Sequence, residues 1–160
     1  MTRRMRARDW WCRLALSLAV YLLVTGCTAT TRSSETVPLI TEEEAALPPA
    51  PEEHERGACG PPEIRIDSPK YGATYRASVP VDVRFKPSDN SQIDLASIRI
   101  ELLKLGVKID LTERAREYIK ATGIDYPQAK IPSGNHRVRI SVGDTSGKSC
   151  SEVVEFTVAQ

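Results

Sequence analysis

The sequence predicts an all-β fold, a sandwich of two antiparallel sheets, for residues 61–160 of the 160-residue chain. Three observations lead to this fold class. Apolar and polar residues alternate with a period of two, turn-forming residues separate the alternating segments, and several such segments fit within this one region. A period of two indicates strands that bury one face and expose the other to water.

The alternation recurs along the region, at residues 64–67, 79–85, 98–102, 137–142 and 154–158. Turn-forming residues lie between these strands, at residues 68–72, 87–90, 133–135 and 144–147. Short strands at this density favour an immunoglobulin-like sandwich. An antibody-type core, in which a tryptophan packs on a disulfide, is excluded because the two tryptophans, Trp10 and Trp11, both lie outside residues 61–160.

Residues 110–122 break the alternation. Their apolar residues recur at the spacing of one helical face: Leu111, Ala115, Tyr118 and Ile119. Asp110 followed by Glu113 resembles a capping box, and Gly123 is placed to end a helix. We predict a short inserted helix of about ten residues, with an irregular strand as the alternative.

Several motifs of this region resemble bacterial immunoglobulin-like domains. The motifs occupy residues 67–69, 71–74, 109–112, 123–124, 131–136 and 142–147. The resemblance covers residues 63–158, and Lys148 stands where the family commonly has asparagine. It implies the fold and leaves the function open, because such domains serve as spacers, adhesive modules and enzyme appendages.

The first 26 residues have the form of a secretory signal. Five arginines and one aspartate precede an apolar run over residues 14–24, and small or polar residues follow. A basic start and a short apolar run are typical of such signals. A membrane-spanning helix needs about 20 apolar residues, so a single-pass anchor is the weaker interpretation.

The segment Leu23-Val24-Thr25-Gly26-Cys27 resembles the lipobox of bacterial lipoproteins. The resemblance implies cleavage before Cys27 and acylation of Cys27, which makes membrane lipid a partner. Two or more acyl chains hold a protein stably on a bilayer, whereas one does so only marginally. Thr28, where an aspartate would mark retention in the inner membrane, favours the outer membrane by the same resemblance. The alternative is ordinary secretion, with Cys27 as an unmodified thiol.

Residues 27–60 are predicted to be the lipidated cysteine and a disordered tether. After Cys27 the segment contains four prolines, seven acidic residues and two basic residues. Such a segment cannot bury enough apolar surface to offset its chain entropy, and 33 residues could reach about 110 Å when fully extended. Without residues 1–26, the formal charge changes from +1 to −3, because 17 basic and 20 acidic residues remain.

Four cysteines are present, and two of them are available for a disulfide. Cys12 lies in the signal and Cys27 takes lipid, which leaves Cys59 and Cys150. An oxidising envelope favours a bond between them, and closing so long a loop stabilises a domain by about 4–5 kcal/mol. A redox role is the alternative, although the sequence has no C-x-x-C motif.

Few residues suggest chemistry. The sequence has no nucleotide-binding motif and no zinc-ligand spacing, so we predict no catalytic residues, no metal and no cofactor. The near-neutral charge argues against nucleic acid as a partner. Asp144, with the turn after it, is a weak calcium candidate that is better explained as a hairpin turn. Arg99, Arg137 and Arg139 are predicted on the exposed face of one sheet, either as a basic strip for an acidic glycan or protein, or as cross-strand ion pairs.

These observations together predict an envelope lipoprotein whose immunoglobulin-like domain acts as a non-catalytic binding or scaffolding module. The expected partner is an envelope protein or a cell-wall polymer, engaged through a sheet face or an exposed edge. One alternative is a small enzyme or enzyme accessory subunit that uses Ser133, His136 and Asp144 at one end of the sandwich. Another is a secreted domain without lipid.

Overall fold

A computed structural model describes residues 38–51, 59–76 and 78–160, all of which belong to the unit Thr36–Gln160. The predicted signal peptide (residues 1–26) and Cys27 lie outside the described residues, so signal cleavage and acylation stay predictions. In the part of the chain that the structure describes, no helix is long and apolar enough to cross a membrane.

Two β-sheets face each other. The four-stranded sheet contains β1 (Glu63–Ser68), β3 (Ser78–Lys86), β6 (Ile119–Lys120) and β7 (Gly123–Lys130), in the order β1-β3-β7-β6. The five-stranded sheet contains β2 (Thr74–Arg76), β4 (Ile93–Lys104), β5 (Val107–Asp110), β8 (Gly134–Asp144) and β9 (Ser149–Ala159), in the order β2-β9-β8-β4-β5. The short strand β2 runs parallel to β9, and every other pair is antiparallel.

This connectivity is that of an immunoglobulin-like sandwich. Strand β1 pairs with β3 in one sheet, whereas β2, which lies between them in the sequence, belongs to the other. A four-stranded sheet facing a sheet centred on three neighbouring strands is the basic arrangement of the fold. Strands β2 and β5 extend the edges of the second sheet. The predicted all-β, immunoglobulin-like sandwich is confirmed.

The core forms because alternate residues of each strand point between the sheets. In β3, Val79, Val83 and Phe85 are buried, whereas Pro80 and Arg84 are exposed. The same alternation recurs in β8, where Val138, Ile140 and Val142 are buried.

The prediction of a disordered tether is corrected for residues 38–51, here called the strap. Leu39 and Ile40 belong to the hydrophobic core, and Ile40 has no exposed surface. A short helix, α1 (Glu42–Ala46), follows and begins with a capping box between Thr41 and Glu44. Burial of these two apolar side chains favours docking of the strap by about 1.5–3 kcal/mol each.

The inserted helix is shorter than predicted. It consists of α2 (Thr112–Ala115) and a three-residue 3-10 turn (Arg116–Tyr118), after which the chain enters β6. Ile119, which matches the helical spacing, instead pairs with Ile124 across β6 and β7. Asp110 still accepts a hydrogen bond from the backbone N–H of Thr112, at 2.8 Å.

Gly123 does not end the helix as predicted. It begins β7 with a φ of +149°, and a Cβ atom at this position would lie 1.9 Å from the carbonyl oxygen of Val83. Glycine is needed here because the two backbones approach so closely.

The predicted disulfide between Cys59 and Cys150 is confirmed. Their Cα atoms are 5.4 Å apart, and 91 residues separate the two cysteines in the sequence. The bond ties the segment before β1 to the start of β9.

Candidate binding site

The outer faces of the two sheets differ in their charges. On the four-stranded sheet, three pairs of oppositely charged side chains contact each other: Arg65 with Asp67, Arg84 with Asp82, and Lys86 with Glu63, at 2.9–3.3 Å. Lys120, Asp125 and Lys130 of the same sheet are exposed. Exposed pairs of this kind contribute about 0–1 kcal/mol each. This face has the properties of a solvated surface.

The five-stranded sheet carries a groove beside the turn that joins β4 and β5. The groove, here called the hairpin groove, has a volume of about 500 Å³. It is lined by Ala50 and Pro51 of the strap, residues 103–108 of the hairpin, and Arg137, Arg139 and Val153 of β8 and β9. The lining contains four basic residues and no acidic residue.

The turn of the hairpin places apolar side chains in water. Lys104 pairs with Val107, which leaves Leu105 and Gly106 as a two-residue turn. Gly106 has a φ of +74°, a conformation that glycine adopts without steric cost at the second central residue of a turn. The side chains beside it are unusually exposed, Leu105 at 61% and Val107 at 44%. Exposed apolar patches bordered by polar residues mark interaction surfaces.

The strap forms one wall of the groove and is fixed by backbone hydrogen bonds. The N–H of Leu105 donates to the carbonyl oxygen of Pro48 at 2.8 Å, and the guanidinium of Arg137 donates to that of Pro51. An isolated β-bridge joins Pro49 to Lys104. The strap therefore continues the hydrogen bonding of the sheet at the end of β4.

Two charged contacts hold α1 on the domain. The guanidinium of Arg114 donates to both carboxylate oxygens of Glu44, at 2.6 and 2.8 Å, and this hydrogen bonding lowers the pKa of Glu44. The buried ammonium of Lys104 donates to the carbonyl oxygen of Ala45 at 3.0 Å, near the end of the helix, and burial lowers its pKa. A cation is favourable at this position because the last carbonyls of a helix carry partial negative charge.

The structure brings two of the three predicted arginines together. Arg137 and Arg139 both line the hairpin groove, and Arg139 lies 3.9 Å from the carboxylate of Glu101 on the neighbouring strand. Arg99 donates to the carbonyl oxygens of Ala96 and Ile98 and lines a second groove. The prediction of one exposed three-arginine strip is therefore corrected: Arg137 is buried, Arg139 is largely buried and paired with Glu101, and the exposed Arg99 lies apart from both.

The alternative catalytic constellation is not assembled. His136 and Asp144 lie eight residues apart on β8, which places them about 26 Å apart along the strand. They occupy opposite ends of the sandwich, so the prediction that they share one end with Ser133 is wrong.

Both residues have structural roles. His136 has no exposed surface, its Nε2 is 2.8 Å from the carbonyl oxygen of Pro132, and burial lowers its pKa. Asp144 accepts hydrogen bonds from Ser146, Ser88, Ser91 and Lys148, and these hold its pKa well below the ordinary range. Its carboxylate organises the turn between β8 and β9.

Among the described residues, one group of three potential metal ligands comes together, Cys59, Cys150 and Glu152. Its two sulfur atoms are joined in the disulfide. Metal-binding cysteine requires a thiolate, so this group in its oxidised form does not offer a thiolate site.

Sequence reasoning missed the strap and its contacts. A local signal was available, since Leu39 and Ile40 directly precede Thr41 and Glu44 in the pattern of a capping box. The burial of Lys104 gave no such signal, because it depends on a contact with Ala45, 59 residues earlier.

No family model and no curated protein matches the sequence. Solved structures with a similar arrangement include an engineered protein (16% identity, TM-score 0.43, covering 65% of this chain and 21% of that one). Another is an endo-β-1,4-mannanase from Thermotoga petrophila (15% identity, TM-score 0.44, covering 66% of this chain and 21% of that one). A third is murine CRIg (8% identity, TM-score 0.40, covering 61% of this chain and 99% of that one). The chain spans about a fifth of the length of the first two.

Proposed function

We propose that this protein is a lipid-anchored component of a bacterial envelope, and that its immunoglobulin-like domain is a non-catalytic binding module. The domain binds its partner at the hairpin groove. The observation that carries this proposal is the contrast between the two sheets: on one, three pairs of oppositely charged side chains contact each other, whereas the other carries a groove lined by apolar and basic residues.

The construction of the groove supports a binding role. Its walls are a tight hairpin and a strap fixed by Lys104, Arg114 and Arg137, so its shape exists before a partner arrives. A site that is already formed loses less conformational entropy on binding. Leu105 and Val107 are exposed at the rim and would be removed from water by a partner.

The strap changes the expected reach from the membrane. Acylated Cys27 is the proposed anchor, and the described fold begins at Pro38. Ten residues, 28–37, lie between them, and a fully extended chain of that length spans about 36 Å. The whole predicted tether would have allowed about 110 Å. The groove is therefore proposed to work close to the bilayer, with the outer membrane favoured by Thr28.

Metabolic labelling with palmitate tests the anchor. We expect the label to be lost in Cys27→Ser and kept in Cys12→Ser, the matched control within the predicted signal. Labelling that persists in Cys27→Ser would refute acylation at Cys27, and no labelling of the wild-type protein would favour a secreted domain without lipid.

Site-specific photo-crosslinking in intact cells tests the binding surface. A photoreactive residue replaces Leu105 at the groove, or Leu95, which is similarly exposed at 53% but lines the second groove. We expect a discrete adduct from position 105 and none from position 95. Equal adducts from both positions, or none from position 105, would contradict the proposal.

A further inference from the structure

We propose that Cys59, Cys150 and Glu152 bind a thiophilic divalent cation such as Zn²⁺ when the two cysteines are in their reduced form. The site is separate from the hairpin groove, whose lining contains none of the three residues. Three features carry the proposal: the convergence of the ligand atoms, an inward-facing carboxylate, and a backbone N–H group that donates to one sulfur.

The fold brings the three ligands together from distant parts of the sequence. Cys150 and Glu152 lie two residues apart on β9, so their side chains are on the same face of the strand. Cys59 precedes β1 and is separated from Cys150 by 91 residues. The two sulfur atoms and a carboxylate oxygen of Glu152 all lie within 4.8 Å of one another. Because the group forms only through the fold, no ligand spacing in the sequence predicts it.

These separations suit a zinc site. Zn²⁺ binds sulfur at about 2.3 Å and carboxylate oxygen at about 2.0–2.2 Å in tetrahedral geometry, so two sulfur ligands are about 3.8 Å apart and a sulfur and an oxygen ligand about 3.6 Å apart. Small side-chain rotations bring the three atoms to these separations once the S–S bond is broken. Three protein ligands leave the fourth position to water, which can enter because Cys59 and Glu152 are only partly buried.

Glu152 gains most from a bound cation. It lies on the same face of β9 as the core residues Val154 and Phe156. Among the described residues its carboxylate makes no hydrogen bond or ion pair, and burial raises its pKa. Removing a charge from water without a partner is unfavourable. A cation held by the two sulfurs supplies the opposite charge, and the ionised carboxylate becomes its third ligand.

The backbone of Ser151 favours the thiolate of Cys59. Its N–H group donates to Sγ of Cys59, with 3.3 Å between nitrogen and sulfur. A hydrogen bond to the charged form of a group favours that form, and the thiolate is the form that binds metal. Hydrogen bonds to metal ligands also fix their orientation.

The reduced state is reached in two ways. Each chain is synthesised with both cysteines as thiols, so the site is available before the disulfide forms. In the oxidised protein, a dithiol reductant transfers two electrons and two protons to the sulfurs of Cys59 and Cys150 and is itself oxidised to a disulfide. Zn²⁺ then displaces both thiol protons, which are released to water. The metal holds the segment before β1 on β9, as the disulfide does.

Metal titration of the full-length protein in detergent tests the proposal. Cys12→Ser and Cys27→Ser are introduced so that Cys59 and Cys150 are the remaining cysteines. The protein is reduced with a phosphine under nitrogen and titrated with Co²⁺, whose thiolate charge-transfer and visible bands report sulfur ligands and tetrahedral geometry. Competition with Zn²⁺ then gives the Zn²⁺ affinity. The oxidised protein of the same sequence is the matched control.

We expect the reduced protein to bind one Zn²⁺ per chain and the oxidised protein to bind none at this site. Glu152→Gln should weaken Zn²⁺ binding about tenfold or more, since even the hydrogen-bond partners of metal ligands contribute about 10–100-fold. Glu155→Gln makes the same change on the opposite face of β9 and should leave the affinity unchanged. Excess Zn²⁺ should raise the urea midpoint of the reduced protein, because it binds the folded chain.

Equal Zn²⁺ affinity of the reduced and oxidised proteins would overturn the proposal. If reduction weakens the fold, the urea midpoint still decides, because a midpoint that does not move with Zn²⁺ is equally contrary to it. Unchanged affinity in Glu152→Gln would leave a site of two cysteines and overturn the assignment of Glu152 as the third ligand.

Discussion

Replacing Ile40 by alanine should lower the free energy of unfolding by about 3–4 kcal/mol, within the range of about 2–5 kcal/mol for buried isoleucine truncations. Ile40 has no exposed surface and borders an apolar cavity of about 40 Å³ between the sheets. Alanine lacks three of its carbon atoms, and the lost transfer free energy is about 2.4 kcal/mol at about 0.8 kcal/mol per buried group. The rest is a cavity term, since the new space joins an existing void instead of collapsing.

Urea unfolding of the full-length protein, followed by far-ultraviolet circular dichroism, measures this change. The transition midpoint should fall while its slope stays constant, which reports stability without a change in the exposed surface. Leu47→Ala is the matched control, because Leu47 lies on the same strap but is 41% exposed. Its effect should stay within about 0.5 kcal/mol. An unchanged midpoint for Ile40→Ala would refute the claim that the strap belongs to the fold.

Three further predictions follow from the structure. Cys150→Ser should lower the unfolding free energy by about 4–5 kcal/mol through loss of the 91-residue loop closure, measured by urea unfolding under non-reducing conditions. Glu44→Gln should cost about 1.5–3 kcal/mol at neutral pH, because Arg114 loses its carboxylate partner. The pKa of Glu44 is lowered in the folded state, so the stabilisation by its carboxylate is complete above the unfolded pKa of 4.5 and disappears as the pH falls through the lower folded pKa. A difference in unfolding free energy between wild type and Glu44→Gln that persists in acid would contradict this prediction. Burial also lowers the pKa of His136, so the unfolded chain binds a proton more readily than the folded protein does, and wild-type stability should decline as the pH falls below the unfolded pKa of about 6.5. Urea unfolding midpoints measured across this pH range should show the decline in wild type and not in His136→Gln.

The strands could be predicted from the sequence because a strand that buries one face has apolar and polar residues in alternation. Strand β8 shows this most plainly, since Val138, Ile140 and Val142 point inward as their spacing indicates. The inserted helix was predicted too long because Ile119 fits a helical stripe as well as a strand. Only its pairing with Ile124 decides between the two.

The strap was missed because its apolar content is concentrated in two residues, Leu39 and Ile40. Averaged over the predicted tether, that content is outweighed by prolines and acidic residues. The burial of Leu39 and Ile40 depends on a space between the sheets that only the complete fold provides.

Part of the binding site was predictable. The adjacency of Arg137 and Arg139 followed from strand alternation, whereas the groove itself required the turn at Leu105 and Gly106 and the position of the strap. The shape of the groove and the position of the strap correspond to no pattern in the sequence, because both depend on contacts between distant segments. The disulfide was predictable by contrast, since two cysteines remained after Cys12 and Cys27 were assigned to the signal and the lipid anchor.

Amide hydrogen exchange of the full-length protein, with and without the partner crosslinked at position 105, tests the role of the hairpin groove most directly. We expect the partner to slow exchange at residues 103–110, which include the hairpin residues that line the groove. The outer strands of the four-stranded sheet, around Arg65 and Arg84, should exchange at unchanged rates. Protection of that face, with none at residues 103–110, would contradict the claim that this protein binds through its hairpin groove.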